Sequence, residues 1–138
     1  MKKKLNRVLL VDDDEDCNYF HKRLLTKMNV TDNVEIANNG QEAIDFLVSE
    51  IEGKHPKPDI IFLDINMPVM NGWEFLEAYK KLDNSQKGKL VIVMLSTSLN
   101  PDDKTKALGN DLVNDFENKY LNEESLTKIL KKNFPIHF

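Results

Sequence analysis

The sequence is poor in the residues that mark several classes of protein. It contains a single cysteine, Cys17, which excludes an internal disulfide and a zinc site built from cysteines. Only 5 glycines and 5 prolines occur in 138 residues, which excludes collagen-like and low-complexity chains. The longest apolar run is a handful of residues, whereas a membrane-spanning helix needs roughly 20. The balance of 19 basic against 23 acidic residues gives a net charge of −4, so the chain lacks the excess of positive charge that is typical of nucleic-acid-binding proteins.

The composition that remains is that of one globular domain. Hydrophobic residues make up 41% of the chain and charged residues 30%. A chain of this length buries roughly 68–70% of the surface that it exposes when unfolded, enough for a core without disulfides. The basic start at 1–4 precedes an apolar stretch at 8–11 that is too short for a signal peptide. We therefore expect a single domain over residues 1–138, without an output domain, located in the cytoplasm and binding neither membrane nor nucleic acid directly.

Short apolar runs recur along the chain at near-regular intervals. They predict strands at 8–11, 34–37, 60–63 and 90–95, with a weaker fifth strand beginning at Leu112 and Val113. Three of these runs are continuous rather than alternating, which is typical of parallel strands buried on both faces. Stretches with helical periodicity lie between them, and the residues at 38–40 and 100–103 predict two helix starts. Five strands alternating with five helices predict a doubly wound α/β domain with a parallel sheet.

Polar side chains follow four of the predicted strands. An acidic run at 12–16 follows the first strand, Asp64 and Asn66 follow the third, Ser96 ends the fourth, and Lys119 follows the fifth. In an open α/β sheet, ligands bind beyond the carboxyl ends of the strands. We therefore expect carboxylates from two strands to meet a hydroxyl and an ammonium group at one edge of the sheet.

This combination of side chains predicts a particular chemistry. Clustered carboxylates repel one another unless a cation neutralises them. Mg2+ is commonly bound by one or two carboxylates, a carbonyl, waters and phosphate oxygens. A carboxylate beside such a metal can attack phosphorus and form an aspartyl phosphate. A lysine and a hydroxyl would then hold the phosphoryl oxygens.

Four segments of the sequence carry a family resemblance. The residues at 8–14 (VLLVDDD), 62–72 (FLDINMPVMNG), 93–96 (VMLS) and 116–119 (FENK) resemble the receiver domain of two-component response regulators. The match covers almost the whole chain, in order and at suitable spacing, and resembles the single-domain chemotaxis regulators in length. The resemblance implies a flavodoxin-like sheet with the strand order 2-1-3-4-5.

The resemblance also implies the ligands of a Mg2+ site. Asp64 matches the phosphoacceptor, which also contacts the metal. Asp13 matches the direct metal ligand, and Asp12 matches the carboxylate that holds a metal-bound water. Asn66 is expected to lend its backbone carbonyl.

Three further residues match positions with roles in catalysis and switching. Lys119 occupies the position of the family's lysine, and Ser96 the position of the hydroxyl that takes part in both catalysis and switching. Phe116 occupies the aromatic switch position, where Tyr or Phe is usual. With Asp64 as acceptor, these residues imply a domain that catalyses only its own phosphorylation and dephosphorylation.

Two residues depart from the family pattern. The family usually has proline after the lysine, often with a cis bond, whereas this chain has Tyr120. Because a non-proline cis bond costs several kcal/mol, we expect the Lys119–Tyr120 bond to be trans. Thr97 stands where Ala or Gly is common after Ser96, which places a larger side chain at the mouth of the pocket.

The cysteine and the histidines show no pattern that predicts a site. Cys17 lies on the expected inward face of the first helix and is interpreted as a small buried hydrophobic residue. His21, His55 and His137 have no spacing typical of metal ligands, so packing or surface roles are expected for them.

The leading hypothesis for function is a signalling module. A sensor histidine kinase or phosphotransfer protein donates a phosphoryl group to Asp64, and the changed surface alters the binding of a downstream protein. The alternative is an aspartate-nucleophile phosphohydrolase with Asp12 as nucleophile in the pattern Asp12-x-Asp14. Against it, Asp16 replaces the Thr or Val of that motif, and the chain is too short for a substrate-selecting cap. A receiver that binds its partner constitutively is disfavoured because each site position holds a competent residue type.

Overall fold

A computed structural model describes residues 4–82, 90–97 and 101–138 of the chain. Five parallel strands form one sheet in the order β2-β1-β3-β4-β5. The strands are β1 (Val8–Val11), β2 (Val34–Ala37), β3 (Ile60–Asp64), β4 (Val91–Ser96) and β5 (Asp115–Asn118). The helices in the described residues are α1 (Glu15–Lys27), α2 (Gly40–Val48), α3 (Gly72–Lys80), α4 (Pro101–Leu108) and α5 (Glu123–Asn133). The predicted fold class and strand order are confirmed.

The core lies on both faces of the sheet. Leu10 and Phe62 face one side, where they pack in a cluster with residues of α1 and α5 such as Leu25 and Leu126. The neighbouring strand residues face the other side and pack with residues of α2 and α3. Since the strands are covered on both faces, every position of β1 and β3 is buried. This explains why their sequences are continuously apolar rather than alternating.

Side-chain caps fix where the helices begin. The Asp14 side chain caps α1 by accepting hydrogen bonds from the backbone N–H groups of Asp16 and Cys17. Asn39 caps α2, as the run at 38–40 predicted. Asn71 and Asn122 form capping boxes at the starts of α3 and α5. Each cap satisfies one or two of the free N–H groups in the first turn of its helix.

The fifth strand begins later than predicted. Leu112 and Val113 precede β5 and lie in a turn, where the Asn110 side chain accepts a hydrogen bond from the Leu112 N–H and the Asn110 carbonyl accepts one from the Val113 N–H. Both apolar side chains pack against the core from this turn, so their hydrophobicity reflects burial rather than strand pairing. Of the helix start predicted at 100–103, Asn100 lies outside the described residues and Pro101 begins α4. None of the helices in the described ranges is long and apolar enough to cross a membrane.

A tight turn after β3 contains a strained residue. Val69 has φ of 66°, and the Met70 N–H donates to the Pro68 carbonyl at 2.7 Å, which is the pattern of a γ-turn centred on Val69. A β-branched residue with positive φ is a true outlier, and Val69 is 79% exposed, so packing does not compensate for the strain.

We expect Val69→Gly to raise the free energy of unfolding by about 1 kcal/mol, because glycine adopts positive φ freely. Urea denaturation of the parent and the variant measures the difference. Val48→Gly is the matched control, since Val48 is an exposed valine at the end of α2 and glycine there should destabilise the protein. Equal destabilisation by both substitutions would contradict this interpretation.

Candidate phosphoacceptor site

Three carboxylates meet beyond the carboxyl ends of β1 and β3. Asp12 and Asp13 follow β1, and Asp64 is the last residue of β3, its neighbour in the sheet. One oxygen atom of each carboxylate lies within 4.8 Å of the others. Asp12 and Asp64 are 4% and 6% exposed, whereas Asp13 is exposed to solvent. Two buried negative charges therefore face one open carboxylate.

Lys119 joins the two buried carboxylates. Its Nζ atom lies 2.7 Å from Asp12 Oδ2 and 3.1 Å from Asp64 Oδ1. Its side chain is 8% exposed, so both ion pairs are shielded from water. Burial lowers the pKa of Lys119, but the hydrogen bond to Asp12 and the charges of both carboxylates outweigh burial and raise its pKa overall. Lys119 is therefore a fixed positive charge at this edge of the sheet.

The pKa of the Asp64 carboxyl group lies above its ordinary value. Burial and the negative charge of Asp12 raise its pKa to about 6, although Lys119 and a hydrogen bond from the Ile65 backbone act in the opposite direction. A cation at the three carboxylates would favour the charged form of Asp64.

The residues present fit a Mg2+ ion. Mg2+ binds oxygen at about 2.0–2.1 Å, so two oxygens on opposite sides of the ion lie about 4.2 Å apart. The oxygens of Asp12, Asp13 and Asp64 are spaced on this scale. Asn66 is exposed in the loop after β3, and the part of its carbonyl in binding metal stays a prediction.

We expect the raised pKa of Asp64 to appear in the pH dependence of stability. A carboxyl group with a raised pKa stabilises the fold below its unfolded pKa of 3.8, and this contribution is lost as pH rises through about 6. In metal-free buffer, Asp64→Asn should therefore gain stability relative to the parent between pH 4 and 7, by on the order of 2 kcal/mol.

Denaturation of both proteins across this range, with a chelator present, measures the difference. His21 contributes in the opposite direction, because burial lowers its pKa to about 4 and protonation then disfavours the fold as pH falls. That contribution is common to both proteins and cancels. A difference that is independent of pH would contradict the raised pKa.

Ser96 and Phe116 lie on the strands next to the acidic cluster. Ser96 is buried at the end of β4, one position beyond the residue that pairs with Asp64, and its carbonyl accepts the Lys119 backbone N–H at 3.0 Å. Phe116 is half-buried on β5, where it packs against the core and lines a groove between α4 and α5. Thr97 is exposed after β4. The roles of Ser96 and Phe116 in switching stay predictions.

A glycine allows α3 to begin against the acidic cluster. The Gly72 N–H donates to the Ile65 carbonyl at 2.8 Å, and a Cβ atom at Gly72 would lie 2.6 Å from the Asp64 carbonyl oxygen. Since no side chain fits at that distance, Gly72 allows α3 to pack closely against the end of β3, and Asn71 provides the helix cap.

The peptide bond after Lys119 was predicted wrongly. The Lys119–Tyr120 bond is cis, whereas the sequence predicted trans. Contacts hold the chain on both sides of this bond. Lys119 is held by Ser96 through its backbone and by two carboxylates through its side chain, and the Leu121 N–H donates to His21.

The sequence did not reveal the roles of Asn18 and His21 on the inner face of α1. Asn18 and His21 are buried polar residues, and Cys17 is buried beside them, as its interpretation as a hydrophobic residue predicted. The Asn18 amide donates to the Asp12 carbonyl at 2.9 Å. Burial, with the charge and a hydrogen bond of Asp12, raises the pKa of the Cys17 thiol to about 12. The available signal was the spacing of 18 and 21, which places two polar residues on the face that also carries Leu25.

Comparisons with known proteins identify the family. Residues 8–131 match the response regulator receiver domain. The two-component response regulator 24 of Arabidopsis thaliana is 31% identical over 124 residues, which are 90% of this chain and 81% of that protein. The hybrid signal transduction histidine kinase I of Dictyostelium discoideum is 29% identical over 90% of this chain, and the chain spans 7% of its length.

A solved structure supports the same assignment. A two-component response regulator from Cytophaga hutchinsonii superposes with a TM-score of 0.81 at 29% identity, and the alignment covers 96% of this chain and 99% of that chain. The chain belongs to the response regulator receiver family. Receiver domains are signalling domains that interact with histidine kinases and downstream effectors. That residues 1–138 are a single domain without an output domain, located in the cytoplasm, stays a prediction.

Proposed function

We propose that Asp64 accepts a phosphoryl group from the phosphohistidine of a sensor histidine kinase or phosphotransfer protein, in the presence of Mg2+. In this step an oxygen of the Asp64 carboxylate bonds to phosphorus as the bond between phosphorus and the histidine nitrogen breaks. The observation that carries the proposal is the placing of a buried carboxylate at the end of β3 against two further carboxylates and the Lys119 ammonium group.

The charges of the site suit this reaction. The Lys119 ammonium group can stabilise the negative charge that develops on one phosphoryl oxygen, since the ammonium group lies 3.1 Å from Asp64 Oδ1. Asp12, Asp13, Asp64 and the Asn66 carbonyl would hold Mg2+, and the chemistry that this ion supplies when bound is positive charge at the phosphoryl oxygens. Positioning and charge stabilisation are the main needs of phosphoryl transfer, and these residues meet both.

Labelling with a small phosphoryl donor tests the proposal. Acetyl phosphate carrying a radioactive phosphoryl group should label the parent in Mg2+, but neither Asp64→Asn in Mg2+ nor the parent in a chelator. Asp45→Asn is the control, because Asp45 is an exposed carboxylate on α2, away from the site. Undiminished labelling of Asp64→Asn would contradict the proposal.

Phosphorylation is proposed to change the surface formed by α4, β5 and α5. Lys119 and the Ser96 hydroxyl have to neutralise or hydrogen-bond the added charge. Ser96 ends β4, which pairs with β5, and the partner of Ser96 in β5 is Asn118. Phe116 on β5 borders the groove between α4 and α5, so a shift of β4 and β5 reaches the face on which a downstream protein would bind. This change is a population shift, so partial activity without phosphate is allowed.

We expect beryllofluoride, a mimic of the bound phosphoryl group, to shift backbone amide signals in α4, β5 and α5 as well as around Asp64. Two-dimensional NMR of the parent in Mg2+ measures this, and Asp64→Asn is the control that should show no such shifts. Shifts confined to the loop after β3 would contradict the coupling through Ser96 and Phe116.

The surroundings of Asp12 argue against the phosphohydrolase alternative. Asp12 Oδ2 is paired with Lys119 at 2.7 Å, and Asp12 Oδ1 accepts the Asp14 backbone N–H at 3.0 Å. Both oxygens of Asp12 are therefore engaged. Asp64 is also paired with Lys119, through Oδ1, but at the longer distance of 3.1 Å. Steady turnover of an aryl phosphate, retained in Asp64→Asn, is the result that would favour the hydrolase.

A further inference from the structure

A buried histidine on α1 contacts the segment that carries Lys119. The Nε2 atom of His21 accepts a hydrogen bond from the Leu121 backbone N–H at 3.0 Å, across 100 positions of sequence. The Nδ1 atom of His21 lies 3.6 Å from Cys17 Sγ. Both His21 and Cys17 are buried, and the rings of Phe20 and Tyr120 pack around the imidazole with centroids at 5.9 and 5.6 Å. The imidazole is therefore held from several directions.

The hydrogen bond defines the form of the imidazole. An imidazolium ion donates from both nitrogens and cannot accept, so the contact with Leu121 requires neutral His21 without a proton on Nε2. The single proton then resides on Nδ1, from which it points to the Cys17 sulfur. Burial lowers the pKa of His21 to about 4, which keeps the ring neutral at pH 7.

The contact with Leu121 completes a clamp around the segment 119–121. On one side, the Ser96 carbonyl accepts the Lys119 backbone N–H at 3.0 Å. On the other side, His21 accepts the N–H of Leu121, which lies two residues after Lys119. The Lys119 side chain leaves the backbone between these two anchors and reaches Asp12 and Asp64.

We infer that His21, as the neutral Nδ1–H tautomer, is a positioning residue that holds Lys119 for phosphoryl transfer to Asp64. The inference rests on the proposed function. Without the His21 acceptor, the segment 119–121 loses one of the two backbone hydrogen bonds of the clamp, and the ammonium group is held less firmly against the phosphoryl oxygens. Because a misplacement of about 1 Å can slow catalysis by on the order of a hundredfold, this loss is measurable as a rate.

Two substitutions separate the acceptor from the bulk of the side chain. His21→Leu fills a similar volume but removes the acceptor. His21→Gln keeps an oxygen near the position of Nε2 that can accept the Leu121 N–H. Leu25→Ala is the matched control, because Leu25 is a buried residue of the same helix whose apolar side chain offers no hydrogen-bond acceptor to the segment 119–121, so its truncation reports the effect of lost packing.

The rate of labelling of the full chain by acetyl phosphate in Mg2+ is the primary measurement. We expect His21→Leu to label about tenfold more slowly than the parent, while His21→Gln and Leu25→Ala stay within about threefold of it. Mg2+ affinity, measured by calorimetry, should stay within about twofold for all variants, since the three carboxylates are unchanged. If His21 had a purely structural role, His21→Leu would not slow labelling while leaving Mg2+ affinity unchanged.

The outcomes distinguish the inference from the function on which it rests. If the parent and His21→Leu label at the same rate, the inference is overturned and the proposed function stands. If the parent itself takes no label on Asp64, the proposed function fails and the inference fails with it. Nitrogen NMR of the parent gives a test that needs no variant. A proton on Nδ1 and none on Nε2 of His21 at pH 7 supports the inference, and the opposite tautomer overturns it.

Discussion

Lys119→Met should slow the labelling of Asp64 by about a hundredfold, because it removes a charged donor that is fixed beside the attacking oxygen. Methionine keeps much of the length and apolar volume of the side chain, so the loss is mainly that of the ammonium group. The rate of labelling by acetyl phosphate in Mg2+ measures it. Lys22→Met, at an exposed position of α1, is the control and should label like the parent.

The same substitution should change stability in a way that depends on metal. Without Lys119, the buried carboxylates of Asp12 and Asp64 face each other unneutralised, so we expect Lys119→Met to lower the free energy of unfolding in a chelator by about 3 kcal/mol. Mg2+ should restore much of this loss, since it binds the folded protein only. Labelling at the rate of the parent, or a stability unaffected by Mg2+, would contradict a role for the Lys119 charge between Asp12 and Asp64.

Asp13→Ala should weaken Mg2+ binding by at least about tenfold, because it removes one of the three carboxylates that the ion can use. The metal-free protein should lose less than about 0.5 kcal/mol of stability, since Asp13 is exposed. Calorimetric titration with Mg2+ and urea denaturation measure the two effects.

A neighbouring acid provides the control for Asp13. Asp16 belongs to the same acidic run and is also exposed, but it lies in the first turn of α1 and outside the three-carboxylate cluster. Asp16→Ala should therefore leave Mg2+ affinity within about twofold of the parent. If Asp13→Ala and Asp16→Ala weaken binding equally, the effect is one of net charge and Asp13 is not a specific ligand.

The parts of the site that the sequence could predict are those set by local pattern. Continuous apolar runs identify buried parallel strands, and the residues that follow them must meet at one edge of the sheet. This reasoning places Asp12, Asp64 and Lys119 together, and the distances confirm that they meet. The late start of β5 was not predicted, because Leu112 and Val113 are as apolar in their turn as they would be in a strand.

What the sequence could not predict depends on contacts between distant residues. The cis bond after Lys119 follows no local preference and occurs where Ser96, His21 and two carboxylates hold the chain. The hydrogen bond between His21 and Leu121 joins residues 100 positions apart, so no spacing rule within α1 reveals it. A polar residue on a buried helix face is a signal that a partner exists, but it does not identify that partner.

The identity of the phosphorylated residue tests the account most directly. The parent is incubated with acetyl phosphate and Mg2+, the acyl phosphate is trapped by borohydride reduction, and the peptides are sequenced by mass spectrometry. We expect modification at Asp64 alone, and none when a chelator is present. Modification at Asp12 or Asp13, or at Asp64 to the same extent without a divalent cation, would contradict it.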